Sequence, residues 1–313
     1  NTLKDKIEII DGILNEFDYS NFNILDNVGK YNLIKEGANL ILSSEDKKKR
    51  FMKHSLDIKN LYTLCNGILE QYYKDKVLFI ISVRSFISKI TNENKLDVSE
   101  INRNVGIMLE QSISKDELIN LGDLSRGKSL ELLSDTMLNK IKSLKDKNIA
   151  AEILSRAIKT TISDIGKTNL TLQEKFSTKF NKIVEAYNER TDIADIEKII
   201  EEMIKLKKEI EEELEKGNEY DLSSEEKAFF DALGADPEIK ELMKDETLVK
   251  IAKELVEIIN ENLTLDAFKR EDARARIRVN IRRLLIKYDY PPVKREGAVE
   301  QVIKQAELKY ANN

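Results

Sequence analysis

The stretch Asn262–Pro292, NLTLDAFKREDARARIRVNIRRLLIKYDYPP, decides how the rest of the chain is read. Taken as a helix, it places Ala273, Ile277, Ile281, Leu284, Leu285 and Tyr288 on one face, at steps of four, four, three, one and three. A second row at steps of four is wholly basic: Arg274, Arg278 and Arg282. Arg276, Arg283 and Lys287 widen it, and Pro291 and Pro292 end the helix. The spacing predicts an amphipathic helix with an apolar seam and an arginine-rich flank. By itself it names no function.

The residues that follow extend the pattern. Arg282-Arg283-Leu284-Leu285-Ile286-Lys287-Tyr288-Asp289-Tyr290-Pro291-Pro292 leads into Val302-Ile303-Lys304-Gln305-Ala306-Glu307-Leu308. Together with Ala273–Arg278, the run Leu222–Leu233 (LSSEEKAFFDAL) and Asp245-Glu246-Thr247-Leu248, this resembles the carboxy-terminal end of the motor and nuclease (R) subunit of type I restriction enzymes. The likeness covers residues 170–313. Phe268 departs from it, standing where the family tends to carry tryptophan, and both are large apolar anchors.

The resemblance implies a non-catalytic helical assembly domain that docks an ATP-dependent DNA translocase and nuclease onto the methyltransferase (M) and specificity (S) subunits. It also implies that the ATP and magnesium of the parent subunit are bound outside this chain, and that the setting is a bacterial or archaeal cytoplasm. A helical module that clamps the DNA backbone is the alternative. The seven residues singled out for partner or DNA contact are Arg274, Arg276, Arg278, Arg282, Arg283, Lys287 and Tyr290. Arginine forks suit carboxylates and phosphates alike. Internal pairing with glutamates, a protein partner and DNA therefore all stay open.

The bounds agree with a scaffold. At 313 residues, 35% of them charged, with three prolines, eleven glycines and apolar residues every three or four positions, the chain reads as all-α. That length predicts two packed helical subdomains, placed at 1–148 and 149–313. No run of about 18 apolar residues is present, so no membrane span is expected. One cysteine, Cys65, excludes a disulfide framework and suits a reducing compartment. The chain opens at Asn1 without an initiator methionine, which reads as a piece of a longer protein. Fifty-two bases against 57 acids give a net charge of -5, so contact with a polyanion needs a local patch. Residues 269–295 hold the dense one.

Other motifs carry less. Gly122-Asp123-Leu124-Ser125-Arg126-Gly127-Lys128-Ser129 satisfies the phosphate-loop pattern G-x-x-x-x-G-K-[ST], but the charged, helix-like residues before it supply no buried strand. It reads as a loop with Ser125 or Asp123 capping the next helix. His54 and Cys65 lie eleven positions apart without convergent partners, so no catalytic pair or metal site is expected. Glu45–Arg50 (EDKKKR) reads as a solvated helix face.

Leu69, Tyr72, Tyr73, Lys76, Ile80, Val83 and Ile87 carry helical spacing through the apolar run Val77–Ile81 and predict one long buried helix. Residues 166–169 are expected to break two helices. Residues 192–217 predict the longest helix, stopped at Gly217 and packed within its own chain. Asp236–Lys240 holds an acid-x-lysine spacing of the kind used by nucleases. Such pairs are common in this composition, and Pro237 suits the first turn of a helix.

Overall fold

Periodicity of three and four dominates the sequence, and helices are what it produces. The computed structural model describes residues 2–15, 17–65, 67, 69–91, 135–190, 193–262 and 271–311. Among these residues there are thirteen α-helices and no strand. The phosphate-loop-like segment 122–129 and Phe268 lie outside the described residues.

The chain groups into two compact units, residues 1–158 with 183–204, and residues 159–182 with 205–313. The first contains α1 (Thr2–Leu14), α2 (Asn27–Ile41), α3 (Glu45–Cys65), α4 (Gln71–Thr91) and α5 (Asp135–Ser143). The second contains α9 (Ser224–Leu233), α10 (Pro237–Leu242), α11 (Asp245–Asn262), α12 (Glu271–Lys287) and α13 (Pro292–Ala311). Between them in sequence, α6 (Lys147–Ile165), α7 (Leu170–Glu189) and α8 (Ile193–Glu219) contribute residues to both.

In the first unit α1 packs on α3, and α2 and α3 pack on α4. Val77, Phe79, Ile80, Val83 and Ile87 of α4 are fully buried, so the apolar run is helix as its flanking periodicity predicts, although Tyr72 faces outward. Phe79 gathers Tyr19, Phe22 and Phe17 at ring distances of 4.4, 5.3 and 6.1 Å. Gly37 admits that ring, because a Cβ there would meet Phe79 Cζ at 3.0 Å. Arg190 lies 3.5 Å from the Tyr187 ring and donates to the carbonyl of Leu42, the C-cap of α2, and to Asn148 Oδ1.

The EDKKKR run corrects one expectation. It opens α3, and Lys49 and Arg50 are solvated, but Lys48 is buried and donates to Glu152 of α6 at 3.2 Å. A second correction concerns α8, which passes Gly217 and runs to Glu219. The left-handed backbone that follows is at Asp221, φ 47°. The same conformation falls on Asn15 after α1 and Asp289 after α12, all of them Asn or Asp, the side chains that tolerate it best after glycine. Lys207 interrupts the apolar spacing of α8 yet is buried, with Glu211 at 2.7 Å.

The second unit has its own core. Phe229, Phe230 and Leu233 of α9 meet Leu248, Ile251, Leu255 and Ile259 of α11, Ile277, Ile281, Leu284 and Leu285 of α12, and Val299, Val302, Ile303 and Ala306 of α13. A capping box starts α9: Ser223 Oγ accepts from Glu226 N–H, and the Glu226 carboxylate accepts from Ser223 N–H. Asp236 caps α10 with Pro237 in its first turn, as the sequence predicts. The break at 166–169 is tied down by Gln305, which donates to Thr168 O and accepts from Leu170 N–H, while Asn169 donates to Asp231 at 2.7 Å.

Candidate interaction surface

Helix α12 turns its apolar seam inward as its spacing requires. Ile277, Ile281, Leu284 and Leu285 are buried, and Ala273 and Tyr288 pack against the same core. Glu271 and Asp272 in the first turn and Lys287 in the last complement the helix dipole. A helix seated this way must place its basic positions at the sides and on the outer face.

One side is braced. Arg274 pairs with Glu307 at 2.5 Å and Arg278 with Glu300 at 3.1 Å, while Arg282 makes two bonds to Glu296, at 2.8 and 2.7 Å. Arginines ascending α12 at steps of four thus meet glutamates descending α13, an antiparallel ladder across the two helices. At the far end Lys287 donates to both oxygens of Glu254 on α11, and the Tyr288 hydroxyl donates to the same carboxylate at 2.5 Å. The hydrogen bonds and charge of Glu296 raise the basicity of Arg282, and Arg282 holds Glu296 below the ordinary carboxylate range. Lys287, then Tyr288, do the same to Glu254.

The Lys-Tyr-x-Tyr-Pro-Pro motif is a junction. Asp289 is left-handed at φ 53°, and Tyr290 N–H reaches back to Leu285 O and Asp289 N–H to Ile286 O, the paired bonds of a Schellman C-cap. Tyr290 is 1% exposed, and its hydroxyl donates to Leu233 O at 2.7 Å. Burial pushes that phenol well above its ordinary value. Pro292 then occupies the first position of α13, where its missing N–H leaves nothing unsatisfied.

Of the seven residues named from the sequence, Arg274, Arg278, Arg282 and Lys287 therefore hold partners within the second unit, and Tyr290 lies in its core. Arg276 and Arg283 stand exposed on the outer face, with no ion pair or hydrogen bond among the described residues. Val279 and Ile286 stand on the same face at 40% and 50% exposure. These two aliphatic residues and the acids of α13 fall outside the basic and apolar rows that the spacing of α12 picks out. The spacing of Glu296, Glu300 and Glu307 at steps of four and seven was the available signal for the latter.

The other sequence candidates do not assemble. His54 Nδ1 lies 3.4 Å from Lys6 Nζ, which is bonded to Asp57, and burial with that lysine's charge lowers its basicity. Asp236 and Glu238 both pair with Lys294 at 2.7 Å, so the acid-x-lysine spacing belongs to a helix start. No group of three residues suited to a metal ion occurs among the described residues. No described helix is long and apolar enough to cross a membrane.

The fold and this surface define a helical region with a cross-braced arginine helix on one unit. The family described as type I restriction enzyme HindI endonuclease subunit-like, C-terminal, matches residues 1–312, and the chain belongs to it. The match reaches far upstream of residue 170, where the likeness visible in the motifs begins. The chain is 33% identical over 273 residues to the type I restriction enzyme HindI endonuclease subunit of Haemophilus influenzae, covering 84% of this chain and 25% of that protein. It is 25% identical over 290 residues to the putative type I restriction enzyme MjaIXP endonuclease subunit of Methanocaldococcus jannaschii, covering 91% of this chain and 28% of that one. The chain thus spans about a quarter of the length of these relatives. No solved structure matches it.

Proposed function

We propose that this chain is the non-catalytic assembly region of a type I restriction endonuclease subunit, docking the DNA-translocating and cutting parts of that subunit onto its methyltransferase and specificity partners. ATP and magnesium are used by parts of the subunit outside this chain, and the complex works in the bacterial or archaeal cytoplasm. The observation that carries the reading is the outer face of α12. Two arginines without partners among the described residues alternate there with two exposed aliphatic residues, on a helix fixed by a ladder and a packed core. A rigid face of mixed character is what protein association uses, because ordering costs little on binding. Four of the six basic residues of the flank already hold carboxylates, which leaves a DNA-clamping reading with few cations.

Binding of the purified chain to the methyltransferase–specificity core, measured by interferometry, tests the proposal. Saturable binding that competes with the intact endonuclease subunit is expected. Intact subunit that binds while this chain neither binds nor competes refutes it. Salt titration separates protein docking from phosphate contact, since the latter weakens steeply as counterions compete.

A further inference from the structure

Arg276, Val279, Arg283 and Ile286 follow one another on α12 at steps of three, four and three. They fall within an arc of about 80° over roughly 15 Å of helix axis. Nothing among the described residues of the second unit covers this stripe: Val279 is 40% and Ile286 50% exposed, and both arginines are exposed. Asp272 bounds it one turn before Arg276.

The contrast with the neighbouring row is the informative feature. In a chain with 57 acids for 52 bases, Arg274, Arg278, Arg282 and Lys287 have each acquired a carboxylate from α13 or α11. Arg276 and Arg283, one or two positions away, have acquired none among the described residues. Their positions lie on the side of α12 away from its buried seam, and neither α11 nor α13 brings a described carboxylate to them.

We propose that this stripe seats an amphipathic acidic helix of a protein partner, with two carboxylates seven residues apart meeting Arg276 and Arg283 and aliphatic side chains one turn from each meeting Val279 and Ile286. The assignment rests on the docking reading above and adds the chemistry of the docked segment. Helices recognise one another through anchors at three, four and seven residues, the spacing of this stripe. Arginine binds carboxylate through two parallel hydrogen bonds, which fixes register as well as charge. A phosphate backbone is the poorer occupant. It would set Val279 and Ile286 against hydrated oxygens, and two free cations neutralise too few phosphates for firm binding. The braced ladder holds α12 in place before the partner arrives.

The test uses a fluorescent helical peptide with glutamates seven residues apart and leucines one turn from each, titrated with this chain by anisotropy. Arg276→Glu/Arg283→Glu should weaken binding at least about tenfold, as reversal of a close interfacial charge pair does. A peptide with lysine for both glutamates should restore binding to that variant and fail with wild type. Val279→Ser/Ile286→Ser should weaken both pairings. Circular dichroism checks that these surface variants fold.

Absence of peptide binding, or binding unchanged in the charge-reversed variant, overturns the proposal. So does arginine-dependent binding of duplex DNA in place of the peptide, or concentration-dependent dimerisation that Arg276→Glu/Arg283→Glu abolishes. If the intact subunit carrying the reversed charges still assembles with the methyltransferase–specificity core, the stripe is refuted while the docking reading stands. If wild-type chain fails to engage that core, the docking reading itself falls.

Discussion

The Tyr290 hydroxyl donates to the carbonyl of Leu233 at 2.7 Å across 57 residues, and both are buried. Leu233 is the last residue of α9, whose final carbonyls have no partner within the helix. Tyrosine supplies that partner while its ring fills the core. Tyr290→Phe keeps the ring and leaves a buried acceptor unpaired, a loss of about 1–3 kcal/mol. Urea denaturation followed by circular dichroism should register it. An unchanged midpoint would mean that water replaces the phenol.

The seam and the stripe of α12 should respond oppositely to truncation. Ile281 is fully buried among α11, α12 and α13, so Ile281→Ala should cost about 2–5 kcal/mol through lost transfer energy and a residual cavity. Val279, two residues away and 40% exposed, should change stability by less than about 0.5 kcal/mol when cut to alanine. Equal effects at the two positions would contradict the orientation of the helix.

The Schellman turn makes a backbone prediction. Asp289 sits at φ 53°, where a β-branched side chain is strained. Asp289→Val should therefore destabilise by roughly 1–2 kcal/mol, and Asp289→Gly should hold or raise stability, because glycine carries no such penalty. Thermal unfolding of the pair of variants decides it.

Lys48 and Glu152 offer a test of burial. Both are under 10% exposed and bond at 3.2 Å. Removing only the acid, as Glu152→Ala, leaves a buried ammonium with Glu45 at 4.0 Å as a poorer neighbour and should cost on the order of 3 kcal/mol. Lys48→Met with Glu152→Leu should recover most of that loss in the same denaturation assay, since a well-packed apolar pair carries no desolvation cost.

These contrasts mark what the sequence makes legible. Helix type follows from local spacing: α12 buries Ile277, Ile281, Leu284 and Leu285 because they share a face in any helix of that sequence. Pro237 and the Ser223–Glu226 capping box are local too. The Arg274–Glu307, Arg278–Glu300 and Arg282–Glu296 pairs are not, since they depend on α13 packing antiparallel to α12. Lys48 looked solvated within a charged run because its acid lies 104 residues away. Tyr290, named for surface contact by its place in a motif, owes its burial to a carbonyl on α9. Gly217 failed to stop α8 because one glycine in a helix costs only about 1 kcal/mol, which the flanking turns offset.

The ladder also sets a pH dependence. Arg282 holds the Glu296 carboxyl below its ordinary 4.5, Lys287 and then Tyr288 do so for Glu254, and Lys294 with the Glu238 N–H keeps Asp236 below 3.8. A depressed acid binds fewer protons folded than unfolded. Its contribution is complete above the ordinary carboxylate range and is lost as pH falls through the folded value. The basic partners stay charged throughout, so the acids alone set the window. Stability of the chain should thus decline on acidification from about pH 5 towards pH 3. Glu296→Gln/Glu254→Gln should flatten that decline while leaving a lower plateau near neutrality. Glu296 is exposed and Glu254 and Asp236 are only half-buried, so molar salt should shrink the difference between variant and wild type. Denaturation midpoints across that range, at low and high salt, provide the measurement, and parallel acid limbs for the two proteins would exclude these pairs as its source.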